Sequence, residues 1–160
     1  MSSPFNSPLE TGIRSLAILT AIFPKSLDLQ YLVFFDYLTV HSGDVEEGPK
    51  SLHAPLPLRS GELTVRRDLI ERGLLLMMSR GLVQKLPTSS GFQYTVTDTA
   101  GAFLSMLSSQ YISRLKERAE WVATKFAEAS YEDLKVLERN FFQDWSTQFQ
   151  SFERIGGRRI

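Results

Sequence analysis

Gly81-Leu82-Val83-Gln84-Lys85-Leu86, then Pro87 to Gly91, then Phe92-Gln93-Tyr94-Thr95-Val96-Thr97-Asp98 is the stretch whose reading decides the fold. Two short runs rich in β-branched and aromatic residues flank a Pro/Thr/Ser/Ser/Gly connection, which is the pattern of a β-hairpin. The segment before it, Val65 to Arg80, places Leu69, Ile70, Leu74, Met77 and Met78 at helical spacing, and Gly81 supplies the stop. Helix, hairpin, helix is the back half of a winged helix. The expected class is therefore mainly α with a small β-hairpin, on a scaffold that binds DNA or other proteins.

Working outward, Ser7-Pro8-Leu9-Glu10 is a helix start: serine caps, proline fits the first turn, and Glu10 reaches back to the cap amide. The helix is predicted from about Pro8 to Ile22, with Leu9, Ile13, Leu16, Thr20 and Phe23 on one face and Pro24 preventing continuation. Ser26 is the expected cap of a second helix, Leu27 to about His41, whose run of Leu, Tyr, Val and Phe residues leaves little polar surface. Such a helix lies in a core or under a partner. From Ser42 to Gly61 the helical period disappears, and an acidic start (Asp44, Glu46, Glu47) gives way to an apolar, proline-punctuated end (Leu52, Leu56, Leu58) that should pack on something.

Beyond the hairpin, Thr97 or Asp98 is the expected cap of one long helix from Thr99 to about Glu128, with Phe103, Leu104, Leu107, Tyr111, Leu115, Trp121, Val122 and Phe126 inward. A last helix is predicted from Tyr131 to about Phe152, its apolar residues at steps of three or four. Residues 1–98 are thus read as a winged-helix-like domain with its hairpin at 82–97, and 99–155 as helices packed on it in one structural unit.

At 160 residues the chain suits one core, and its 18 basic and 18 acidic side chains cancel, so no overall field draws it to nucleic acid or an anionic membrane. The absence of cysteine excludes disulfides, thiolate metal sites and a cysteine nucleophile. The longest apolar runs, Tyr31 to Phe35 and Leu74 to Met78, fall far short of the roughly 20 residues that span a bilayer. Met1 to Pro8 shows no secretion pattern, so a cytoplasmic location is expected.

Chemistry finds little purchase. His41 and His53 flank the acidic turn, but they lack the i, i+4 spacing that would define a metal site, and neither a G-x-S-x-G elbow nor a phosphate-binding G-x-x-x-x-G-K-[ST] is present. The expectation is no catalytic residue, no metal and no cofactor. Arg66, Arg67, Arg72 and Arg80 lie on or beside the helix that would be the recognition helix of a DNA-binding domain, where guanidinium groups contact phosphates or guanine edges. Glu62, Asp68 and Glu71 among them support the competing reading of a salt-bridged surface. Trp145, Phe149 and Phe152 extend past what a small winged domain needs for its core, and aromatic anchors dominate interfaces, although aromatics at helical spacing also serve cores.

Ser51-Leu52-His53-Ala54-Pro55-Leu56-Pro57-Leu58-Arg59-Ser60-Gly61-Glu62-Leu63, followed by Val65-Arg66-Arg67-Asp68-Leu69-Ile70, Gly73-Leu74, Gly81-Leu82-Val83, Tyr94-Thr95-Val96-Thr97, Tyr111 and Trp121, resembles the middle component of bacterial ABC three-component systems. The resemblance implies a small adaptor in an antiphage defence complex of the Lamassu type, beside an SMC-like ABC ATPase subunit that detects DNA and an effector subunit, often a nuclease. It brings no catalytic residue with it. His53, Pro55, Pro57, Arg59, Arg66 and Arg67 match its pattern and are the expected partner contacts, with DNA engaged indirectly through the complex. The alternative is a winged-helix transcription regulator dimerised through its last two helices.

Overall fold

Ser7 opens the first helix as the sequence predicts: its hydroxyl accepts a hydrogen bond from the Glu10 N–H at 3.2 Å, and α1 runs Pro8–Ile22. The structure is a computed structural model and describes residues 7–41, 50, 52, 62–127, 132, 133, 135, 136 and 139. The one-faced reading of α1 is corrected. Every residue from Thr11 to Leu19 is buried, whereas Leu9 and Phe23, expected inside, are 53% and 59% exposed. The reason is topological: α1 is the central post, packed by helices on several sides and by the hairpin, so its middle has no solvent face and its ends protrude.

The second helix, α2 (Leu29–Val40), begins two residues later than predicted, and Asp28 caps it in place of Ser26 by accepting the Tyr31 N–H at 2.8 Å. Leu27 is taken by another element. Its N–H donates to the Tyr94 carbonyl (3.1 Å) and its carbonyl accepts from the Tyr94 N–H (2.7 Å), so its backbone is committed to an antiparallel bridge before a helix can start. As expected, α2 is buried almost throughout, from Leu32 to Val40.

α3 spans Glu62–Ser79 and crosses α1 at a pair of glycines. A Cβ on Gly73 would stand 2.6 Å from the Gly12 nitrogen and 2.9 Å from the Pro8 carbonyl oxygen, so the two backbones meet where neither residue has a side chain. The helix ends at Gly81, whose φ of 71° is the left-handed conformation that glycine adopts without penalty. The Leu82 N–H reaches back to the Met77 carbonyl (2.9 Å) and the Gly81 N–H to Met78 (3.0 Å), satisfying carbonyls that the helix leaves open.

The hairpin follows: β1 (Val83–Thr88) and β2 (Gly91–Val96) pair antiparallel from Val83↔Val96 to Thr88↔Gly91. Its base is rooted in the core through Val83, Tyr94 and Val96, while Gln84 to Phe92 stand in solvent.

The single long helix expected from Thr99 is instead two: α4 (Ala100–Ser105) and α5 (Gln110–Ala127). The Thr97 hydroxyl does not cap; it donates to the Gly81 carbonyl at 2.7 Å and ties the hairpin's exit to its entrance. Ser109 starts α5 by accepting the Ile112 N–H at 3.1 Å, and Lys116 donates to the Leu104 and Leu107 carbonyls at 2.8 and 3.3 Å, closing the end of α4. The break lets both segments turn apolar residues to α1, with Leu104, Ile112, Leu115, Ala119 and Val122 all in the core. The predicted helix from Tyr131 to Phe152 lies largely outside the described residues.

Candidate functional site

Arg14 of α1, Asp36 of α2 and Arg66 of α3 converge in the interior, their side chains 2%, 0% and 8% exposed. Arg14 Nε donates to Asp36 Oδ1 at 3.0 Å, its Nη2 lies 3.4 Å from Oδ2, and Arg66 Nη1 donates to the same Oδ2. The Arg66 guanidinium also lies 5.5 Å from the centre of the Tyr37 ring. Complete burial opposes ionisation of Asp36 most strongly, yet the two guanidinium groups together outweigh it and hold the carboxyl below the ordinary carboxylate range. Burial likewise disfavours the charge on Arg14, and Asp36 chiefly, with Tyr111, restores it and raises its pKa. Asp36 thus fixes three helices to one another, since each contributes one charge to the cluster.

This geometry relocates a predicted surface residue. Arg66, expected at a partner or nucleic-acid contact, faces inward and is 7% exposed, because the turn of α3 that brings Ile70, Leu74 and Met77 to the core brings Arg66 with them. Arg67 and Arg72 do lie outside. Arg72 Nε is 3.1 Å from Asp68 Oδ2, and Arg67 Nε is 4.0 Å from Glu71 Oε1, each pair one helical turn apart. Arg80 is exposed at the helix end. The outer face of α3 is therefore a salt-bridged surface with Val65 and Leu75, 59% and 62% exposed, set among the charges.

Two further features lie on other elements. On the hairpin, Lys85 Nζ lies 4.4 Å from the centre of the exposed Phe92 ring and 6.0 Å from that of Tyr94. Elsewhere, a groove of about 1350 Å³ runs from the end of α1 past the turn into α2 and along α5, with Phe23, Asp28, Tyr31, Gln93, Lys116 and Glu120 among its walls. Its charged lining is mixed, with Lys116 already committed to the Leu104 and Leu107 carbonyls.

His41 is 3% exposed at the end of α2, its ring 4.6 Å from that of Tyr37, and belongs to the core. Among the described residues no cluster of three or more His, Cys, Asp or Glu side chains could hold a metal ion, and no helix is long and apolar enough to cross a membrane. Among the described residues of the long connection, the Leu52 N–H donates to the Val40 carbonyl at 2.9 Å, and the Lys50 carbonyl accepts from Arg118 Nε at 3.1 Å. His53, Pro55, Pro57 and Arg59 lie outside the described residues, as do Trp145, Phe149 and Phe152.

A family model described as ABC-three component (ABC-3C) system Middle Component 2 (MC2) matches residues 4–148. The chain belongs to the MC2 family. No curated protein and no solved structure gives a match. An MC2 chain is a middle component of an ABC three-component system and works beside other subunits, so the surface that contacts them is the functional site to be sought. Sequence reasoning missed two determinants of how α3 is placed in this MC2 chain. The Arg14–Asp36–Arg66 cluster sets the rotation of α3, and its sequence signal was a charge, Arg14 in one helix and Asp36 in the next, set among the apolar residues of the helix interior. The Gly12–Gly73 contact sets the depth of α3 against α1, and glycines inside two predicted helices were its trace.

Proposed function

We propose that this chain is a non-catalytic adaptor in the cytoplasm that bridges an SMC-like ABC ATPase and an effector, a nuclease, in a bacterial antiphage complex of the Lamassu type. The family match across residues 4–148 carries the reading. Element order supports a winged-helix scaffold for the role: α1, a bridge at Leu27, α2, α3 and the hairpin, with Tyr94 of β2 between Leu27 and β1. In this reading α3 stands where a recognition helix would, and β1 and β2 form the wing. Binding to DNA draws on cations left over to face phosphates. Here Arg66 is consumed inside, and Arg67 and Arg72 each have a carboxylate one turn away, which favours a protein partner over a duplex.

The docking residues in this reading are Arg67 on the flank of α3, the loop residues His53, Pro55, Pro57 and Arg59, and the C-terminal aromatics Trp145, Phe149 and Phe152. Arg66 acts on the interface through the placement of α3. For the adaptor to report on the ATPase it must bind the two nucleotide states with different free energies, and about 1.4 kcal/mol gives a tenfold bias. The test is co-purification with the ABC ATPase of the same three-component system, using Arg67→Glu and Trp145→Ala/Phe149→Ala variants, alongside a phage plaque assay. Loss of co-elution together with loss of protection supports the adaptor. A chain that never co-elutes with an ATPase, and instead shifts promoter DNA in a salt-sensitive manner, is the transcription regulator.

A further inference from the structure

The outermost ridge of α3 consists of Val65, Asp68, Arg72 and Leu75, all more than half exposed and spaced by three, four and three residues. At 100° per residue they lie within one stripe, directly opposite the stripe of Ile70, which is fully buried against the core. The order along the ridge is apolar, acidic, basic, apolar. It is also symmetric about residue 70: Val65 and Leu75 stand five residues to either side, and Asp68 and Arg72 two.

A two-fold axis that passes between two such ridges, level with residue 70 and perpendicular to the plane containing both helices, reverses the direction along the helix and sets the ridges face to face. It therefore sets Leu75 of a second copy over Val65 and Arg72 of that copy over Asp68, and the reciprocal contacts follow. Apolar meets apolar and each charge meets its opposite, within about 15 Å of helix length. The ridge complements itself, the requirement that a two-fold interface imposes on one surface patch. We propose that this ridge is a dimer interface whose occupant is the same ridge of a second copy of the chain, packed antiparallel.

The intrahelical Asp68–Arg72 pair, 3.1 Å apart, becomes a ring of four alternating charges across the axis, and the exposed Val65 and Leu75 cover one another at either end. One helix pair is a small interface, so the dimer is a concentration-dependent one. The inference uses only the α3 geometry and stands independently of which subunits the chain serves, because it is tested on the chain alone.

The experiment is sedimentation equilibrium of the full chain from roughly 10 µM to roughly 1 mM, the window a small interface calls for. The average mass is expected to rise from 18.2 kDa towards twice that value. Arg72→Asp places like charges over one another at both symmetric contacts and should weaken association at least ~10-fold, and Asp68→Arg should do the same. The double exchange Asp68→Arg/Arg72→Asp rebuilds the ring with its signs reversed and should restore the dissociation constant to within ~3-fold, the signature of direct coupling. Arg114→Glu, an exposed site on α5, is the control and should change nothing. All three substituted positions are solvent-facing, so thermal unfolding should verify an intact fold. A monomer across the whole range, association indifferent to Arg72→Asp, or a double exchange that stays weak overturns the proposal.

Discussion

Replacing Asp36 with asparagine removes one negative charge from a site where two guanidinium groups, 2% and 8% exposed, have no solvent to turn to. The variant keeps the volume and part of the hydrogen bonding, so what it measures is charge. Removing one partner of a buried ionic group leaves uncompensated charge behind and costs about 3–5 kcal/mol. Against a total stability of roughly 5–15 kcal/mol for a domain, that is a large fraction. At roughly 2–4 °C per kcal/mol for a chain of this size, the midpoint should fall by about 10 °C. Urea titration at pH 7 with parallel thermal scans reads both numbers.

The same residue has a pH signature. The folded state holds the Asp36 carboxyl below its ordinary range, so the stability it contributes is present above the unfolded value of about 4 and is lost as pH falls through the lower folded value. Asp36→Asn should flatten that acid limb. Glu10 runs the other way: burial, opposed by Arg14, raises its pKa, so its contribution favours folding as pH falls through the raised value. Replacing all three members by apolar residues of similar size (Arg14→Met, Asp36→Leu, Arg66→Met) should be far milder than Asp36→Asn alone, since the desolvation cost disappears with the charges. If Asp36→Asn unfolds within about 1 kcal/mol of the parent, the cluster does not hold three helices together and the account of α3 placement fails.

Gly73→Ala should cost about 2–3 kcal/mol in urea titration, since its methyl would stand 2.6 to 2.9 Å from α1 backbone atoms that cannot turn aside; an unchanged midpoint would mean the helices sit further apart. Gly81→Ala should cost about 1 kcal/mol through the positive φ alone, because nothing lies within 4 Å of the added carbon, and Gly81→Asn should recover part of it. Lys116→Met keeps the stem and removes the donor to the Leu104 and Leu107 carbonyls, so it should lower stability by about 1 kcal/mol and speed amide hydrogen exchange at the junction of α4 and α5.

The parts of the fold legible in the sequence are those whose cause is local. Ser7-Pro8 and Gly81 mark the start of α1 and the end of α3 because capping and positive φ are properties of one or two residues. The hairpin is legible because Gly91 and the β-rich runs act over a few positions. The errors share a cause of the opposite kind. Ser26 is a sound cap in isolation, but Leu27 is claimed by Tyr94, 67 residues further on, and the cap passes to Asp28. The Thr99–Glu128 period is continuous enough to suggest one helix. The Ser108-Ser109 pair in its middle is the local sign of a second N-terminus, and what makes it prevail is the chance for α4 and α5 to reach α1 separately.

The candidate site divides along the same line. That α3 carries a mixture of arginines and carboxylates is readable from the sequence; which arginine faces in is decided by Asp36 on another helix. Arg66 and Arg67 are adjacent in the chain and a step of 100° apart on the helix, so one is spent on the core and the other reaches solvent. The distinction changes what each substitution reports. Arg66→Glu would set two buried carboxylates beside one arginine and unfold the chain, so any loss of partner binding would be uninterpretable, whereas Arg67→Glu alters an exposed pair worth about 0.5 kcal/mol and leaves the fold intact. Loss of binding by Arg67→Glu at unchanged thermal midpoint would therefore locate a contact, and retention of binding would move the search to the loop and the C-terminal aromatics.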